Sequence, residues 1–226
     1  MEKRLSRQAA SDAVGDHGWR LVLGVLSSWV AVGSLAEAVE VASRAVAACG
    51  PQADGHLRVD VRADRVVLSL QTLALSAVTT TDTDLARAIT AAGLKTEPGP
   101  GLDGQRSVQV LEIAIDALDI ASVRPFWQAV LGYVDEPGAD DDGPLIDPLG
   151  QGPALWFQQM DAPRPQRNRV HFDVSVPHDE AARRIEATVA AGGRVLSDVR
   201  APAFWVLADP EGNEACVTTW QARDPH

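Results

Sequence analysis

Three side chains set the chemical question in this chain: His171, Glu112 and Glu214. Residues 168–176, NRVHFDVSV, alternate in the manner of a strand. Val170, Phe172, Val174 and Val176 fall on one face, and His171, Asp173 and Ser175 on the other. Glu112 lies in a second such stretch, VQVLEIAI (108–115), and Glu214 in a third, NEACV (213–217). A fold that joins the three strands creates a carboxylate–imidazole–carboxylate cluster, a donor set that suits a divalent metal with open coordination positions. The competing role for each is plain solvation on a half-exposed strand. Because an unpaired buried carboxylate is costly, the glutamates gain chemical meaning only in company with His171.

Positioning these residues takes a chain of 226 residues, long enough for two modest domains. Its 46% hydrophobic content supports a sizeable core, while the net charge of −11 argues against a nucleic-acid partner, which needs a concentrated basic face. No run of 18 apolar residues marks a membrane span, and no apolar stretch follows Met1-Glu2-Lys3-Arg4 at the spacing of a signal peptide. Cys49 and Cys216 both sit in apolar contexts, which predicts buried free thiols and fits a reducing cytoplasm. The expectation is a soluble cytoplasmic protein.

The pattern of elements divides into two α+β parts. Residues 6–16 read as a weak helix, 19–32 as two short strands about Gly24, and Leu35–Cys49 as an amphipathic helix stopped by Gly50-Pro51. Alternation returns over 59–70, and a helix opens at Thr81-Asp82 and ends at Gly93. Residues 94–107, LKTEPGPGLDGQRS, lack periodicity and read as a linker between a domain of residues 1–93 and one of 108–226. The second domain repeats itself. A strand at 108–116, a helix at 120–131 and strands near 133–136, 144–147 and 154–160 are followed by the same order. The second copy has a strand at 170–176, a helix at 179–191 and strands at 194–198, 203–208 and 214–219. Two βαβββ units predict a pseudo-symmetric pair of sheets, with Glu112 and His171 at equivalent places on the first strand of each half.

The C-terminal part resembles the vicinal oxygen chelate superfamily, in its glyoxalase-like branch. The stretches that carry the likeness are DIAS (119–122) with FWQAVLG (126–132), ALWFQ (154–158), NRVHFDV (168–174) and LADPEGNE (207–214), the last being the most specific. The resemblance implies metal positions on the first and last strand of each half, which fall on Glu112, Gln158, His171 and Glu214. Glu112 stands where a histidine is frequent, and Gln158 where a carboxylate is common. The N-terminal part resembles pterin-4a-carbinolamine dehydratases through GWR (18–20), HLRVDVRADRV (56–66) and TTTDTDLARAI (79–89). That family's His-His-Pro run reads Gly55-His56-Leu57 here, and its Thr-His-Asp run reads Thr72-Leu73-Ala74. His56 is therefore what remains of a degenerate dehydratase site, since Gly and Leu cannot move the protons that carbinolamine dehydration requires. Without its partners it reads as a surface or interface residue.

Trp156 and Trp205, on strands of opposite halves, and Trp127, on a helix, are candidates to line an apolar pocket for a flat ligand. Core packing is the competing role, above all for Trp127. Three functions follow. The first is a glyoxalase-like lyase or isomerase, with a divalent ion on Glu112, His171 and Glu214 and one glutamate as base. The second is a non-catalytic module that binds or sequesters a small molecule in the same cavity. The third, a pterin-4a-carbinolamine dehydratase, is disfavoured by the missing histidines. Both resemblances also imply self-association, with a homodimer as its simplest form.

Overall fold

The structure is a computed structural model that describes residues 3–97, 110–163 and 170–222. The Pro98-Gly99-Pro100-Gly101 run, the strand start at Val108-Gln109 and the pair Asn168-Arg169 lie outside the described residues. The fold is α+β, and the chain divides into two units, Met1–Val110 and Leu111–His226. Among the described residues, no helix is long and apolar enough to cross a membrane.

The first unit begins with α1 (Arg7–Val14), whose N-terminal amide of Ala9 donates to the Ser6 hydroxyl. It continues through β1 (Arg20–Val22), β2 (Val25–Ala31), α2 (Leu35–Cys49), the single turn α3 (Ala53–His56), β3 (Leu57–Val61), β4 (Arg65–Leu70) and α4 (Thr80–Ala91). The strands form one antiparallel sheet in the order β1-β2-β4-β3. Strict alternation on β4 buries Val66, Leu68 and Leu70 against Ala38, Val41 and Ala45 of α2 and Leu85 and Ile89 of α4. The first residues of the expected linker belong to this packing. Leu94 is buried, and Trp29 and Glu97 exchange backbone hydrogen bonds of 3.1 and 2.9 Å. The reason is the short first strand: β1 pairs only with Val25, Leu26 and Ser27, which leaves the edge groups of Trp29 open to another segment. Gly18 permits the approach, because a Cβ there would collide with the Thr96 carbonyl and its φ of +76° disfavours other residues.

The second unit contains β5 (Glu112–Ala117), α5 (Ile120–Leu131), β6 (Val134–Asp135), β7 (Leu145–Ile146) and β8 (Ala154–Gln159). The same order then recurs in β9 (Phe172–Ser175), α6 (Ala181–Ala190), β10 (Arg194–Ser197), β11 (Phe204–Ala208) and β12 (Glu214–Thr218). Each half forms its own four-stranded sheet, β5-β8-β7-β6 and β9-β12-β11-β10, in which the first strand pairs in parallel with the last. The apolar faces of both sheets share one core with the helices. Ile115, Leu155 and Phe157 from one sheet and Phe172, Ala215 and Val217 from the other pack with Val123, Phe126 and Trp127 of α5.

The turn DPEGN between β11 and β12 ties the halves together. Asp209 is fully buried and accepts from Trp127 Nε1 at 3.0 Å, Glu211 N at 3.0 Å, Asn213 N at 2.8 Å and Asn213 Nδ2 at 2.8 Å. The Glu211 carboxylate accepts from the amides of Leu118 and Asp119 at the start of α5. The acids of this turn thus hold the fold, where a polar turn by itself suggests only solubility. The far end of α5 is closed by Gly132 at φ +69°, with the Arg184 guanidinium against it and donating to the Val130 carbonyl at 3.1 Å.

Candidate functional site

Alternation that buries one face of each sheet in the second unit leaves a polar face on the other side. On β5 and β8 that face carries Glu112, Asp116, Trp156 and Gln158, with Asp116 in register with Gln158. On β9 and β12 it carries Asp173, Ser175, Glu214, Cys216 and Thr218, with Asp173 in register with Cys216 and Ser175 with Thr218. The Ser175 and Thr218 hydroxyls bond at 2.9 Å, which pins that register. His171 is the residue just before β9, and its imidazole stands beside Asp173.

One group of three metal-ligating side chains converges among the described residues. The donor atoms of His171, Asp173 and Cys216 all lie within 4.8 Å of one another, with His171 Nε2 at 3.7 Å from Asp173 Oδ1. His171 and Asp173 are exposed and Cys216 is buried beneath them. Burial first, then the Asp173 hydrogen bond and the charges of Asp173 and Glu214, push the Cys216 thiol up to about 11. Glu214 therefore stands at the margin of this group, and Glu112 is exposed at the start of β5; neither belongs to the converging three.

A cleft of about 360 Å³ opens beside the same strand. Ile113, Leu131, Tyr133, Leu155, Phe172 and Val174 give it apolar walls. Asp173 and Ser175 add a polar edge.

The sequence of residues 112–218 matches the family described as the glyoxalase-like domain. Residues 112–218 form a glyoxalase-like domain. None of the curated proteins matches the chain. Among solved structures, a glyoxalase/bleomycin resistance protein/dioxygenase family enzyme from Burkholderia phytofirmans PsJN is 19% identical; the match covers 48% of this chain and 95% of that one, with a TM-score of 0.38. The fosfomycin resistance protein FosX from Listeria monocytogenes is 11% identical over 53% of this chain and 97% of its own, with a TM-score of 0.41. A transcriptional coactivator/pterin dehydratase from Brucella melitensis is 22% identical over 40% of this chain and 98% of its own, with a TM-score of 0.36.

Within the glyoxalase-like domain the tryptophans divide. Trp127 is 1% exposed, edge-on to Phe126 and Phe172, and spends its indole N–H on Asp209, so it is a core residue and not a pocket wall. Trp205 pairs with the fully buried Val217 and packs against the same core, on the sheet face opposite Cys216. Trp156 does lie on the polar face of its sheet, between Ala154 and Gln158. Its alternation is readable in the sequence; the sidedness of Trp205 is not, because it lies in the uniformly apolar run Phe204-Trp205-Val206-Leu207, which has no polar residue to mark a face.

His56 also departs from expectation. It is buried, and its Nδ1 lies 2.8 Å from Asp82 Oδ1 and 3.4 Å from Thr72 Oγ1. Asp82 is fully buried at the first turn of α4 and accepts from the amides and hydroxyls of both Thr72 and Thr79 at 2.7 to 3.1 Å. The partner that the altered motif lacks is supplied by a carboxylate 26 positions along the chain.

Cys49 and Cys216 are both free and buried, and burial pushes Cys49 up to about 11 as well. An unfolded thiol ionises near pH 8.5. A folded pKa above the unfolded one gives a contribution that is whole below the unfolded value and lost as pH rises through the folded one. The denaturant midpoint of the wild type should therefore fall between pH 9 and 11, and fall less in a Cys49→Ser/Cys216→Ser variant. Equal pH dependence in the two proteins would show that these thiols do not couple to folding.

Proposed function

We propose that this chain acts on a small molecule through its glyoxalase-like domain, with the ligand seated in the cleft beside β9. The cleft carries the reading: its volume of about 360 Å³ is that of a small-ligand site, and apolar walls meet the polar edge of Asp173 and Ser175. The N-terminal unit, on this reading, keeps a dehydratase-like fold without dehydratase chemistry. Gly55, Leu73 and Ala74 occupy the places where proton-transfer groups are needed, and His56 is held in a buried hydrogen-bond network.

Val174→Phe tests the seat, since Val174 is a partly buried cleft residue whose enlargement fills the space. With the fluorescent probe 8-anilinonaphthalene-1-sulfonate, the variant should bind about tenfold more weakly, a loss near 1.4 kcal/mol, at an unchanged melting midpoint. Undiminished probe binding by the folded variant would place the ligand elsewhere.

The converging donors His171, Asp173 and Cys216 favour a second reading, catalysis of the lyase or isomerase type. A divalent ion supplies Lewis-acid polarisation of a substrate oxygen when bound. His171 and Asp173 would hold it at the cleft edge. Glu214, two residues from Cys216 on the same strand face, is the carboxylate positioned to accept a substrate proton. Glu112 and Gln158, the positions expected from the first half, lie on β5 and β8, apart from this group of three.

A further inference from the structure

We infer that the second half of the glyoxalase-like domain holds one zinc-like ion on a mixed nitrogen, oxygen and sulfur site made of His171, Asp173 and Cys216, leaving a fourth position open. The inference deepens the catalytic reading, and its test reads ligation rather than turnover, so either can fail without the other.

The geometry is set by the backbone. Asp173 and Cys216 are register partners across the parallel β9·β12 pair, and His171 stands two residues before Asp173 on the same face. Tetrahedral zinc with N and O ligands at about 2.1 Å and S at about 2.3 Å requires donors roughly 3.4 to 3.6 Å apart. His171 Nε2 and Asp173 Oδ1 are already 3.7 Å apart, and all three donors lie within 4.8 Å of one another. Rotamer adjustments of about 1 Å therefore suffice, with no backbone movement. Asp173 and His171 are on exposed chain at the edge of the sheet, where such adjustments meet no packed neighbour, while Cys216 forms a fixed floor.

The donor types choose the ion. A thiolate disfavours magnesium and calcium, which take oxygen ligands, and suits zinc or cobalt. Asp173 beside Cys216 and Glu214 two residues along the same strand face place carboxylates around the site, as a dication needs. Loading is a proton exchange: the ion bonds to sulfur, the S–H bond breaks, and one proton passes to solvent for each ion bound. Three protein ligands and one open position is the coordination of a catalytic rather than a structural zinc site.

The test is titration of the full-length protein with Co²⁺, followed by the near-ultraviolet sulfur-to-cobalt charge-transfer absorbance and by proton release in weak buffer. One equivalent of cobalt, an intense band and one proton per ion are expected, with Zn²⁺ erasing the band. The band should persist in Cys49→Ser and disappear in Cys216→Ser. Asp173→Asn, an exposed change that leaves the core alone, should weaken binding at least about tenfold, as should His171→Ala. Cobalt bound without the band, a band that survives Cys216→Ser, or no cobalt bound at all would each overturn the assignment. So would a loss of cobalt in Glu112→Ala with the three residues intact, which would return the ion to the wider set of family positions.

Discussion

Asp209→Ala should destabilise the C-terminal unit by about 3–5 kcal/mol, the range for removing one partner of a buried charged network. Four donors lose their acceptor together: the indole of Trp127, the amides of Glu211 and Asn213, and the Asn213 side chain. Two of these are backbone amides of a tight turn, and the first is a tryptophan with 1% exposure, so water cannot easily replace the carboxylate at all of them. Urea unfolding followed by near-ultraviolet circular dichroism would measure the loss. Because the chain has two units, the two transitions should be fitted separately. Trp127→Phe breaks only one of these bonds and is expected to cost about 1 kcal/mol beyond the lost ring area. A shift below about 1 kcal/mol for Asp209→Ala would show that the DPEGN turn is dispensable to the fold.

Asp82→Ala should produce a loss of similar size, about 3–5 kcal/mol, confined to the N-terminal unit. The Asp82 carboxylate sits at 0% exposure and gathers His56 Nδ1, two backbone amides and two threonine hydroxyls. It also faces the first turn of α4, where a negative charge stabilises the unpaired amides. Removing it strands donors from three different segments. Thr79→Ala, which removes the hydroxyl but leaves the amide bond to Asp82, is expected to cost about 1 kcal/mol. If Asp82→Ala unfolds with an unchanged first-unit midpoint, the network is ornamental, and His56 is then available for another role. A loss of the expected size instead accounts for a histidine that persists where its motif partners have changed.

Local features of this chain are legible in the order of its residues. Leu35–Cys49 and Ile120–Leu131 have the bounds that periodicity and stop signals predict, because a helix is decided by residues three and four apart and by caps at its own ends. The repeated βαβββ order is likewise written twice along the chain, and each copy becomes one sheet. Strand alternation places His171 and Asp173 together, as their 3.7 Å contact bears out, since sidedness within a strand is a matter of residues two apart; on the run Ala215-Cys216-Val217 it gives no such contrast.

What alternation does not contain is register. The pairing of Asp173 with Cys216 joins positions far apart in the chain, and a slip of one residue would set Cys216 against a different neighbour and turn the polar face inward. That pairing, decided by packing of the shared apolar core, selected Cys216 and Asp173 as companions of His171 and left Glu112 aside. The same holds for Trp127 with Asp209, 82 residues apart, and His56 with Asp82. Short-range backbone geometry thus writes into the residue order which elements form, their succession, and which residues share a strand face. Which of those faces meet follows from packing at long range, because burial makes hydrogen-bond partners out of residues that no local pattern connects.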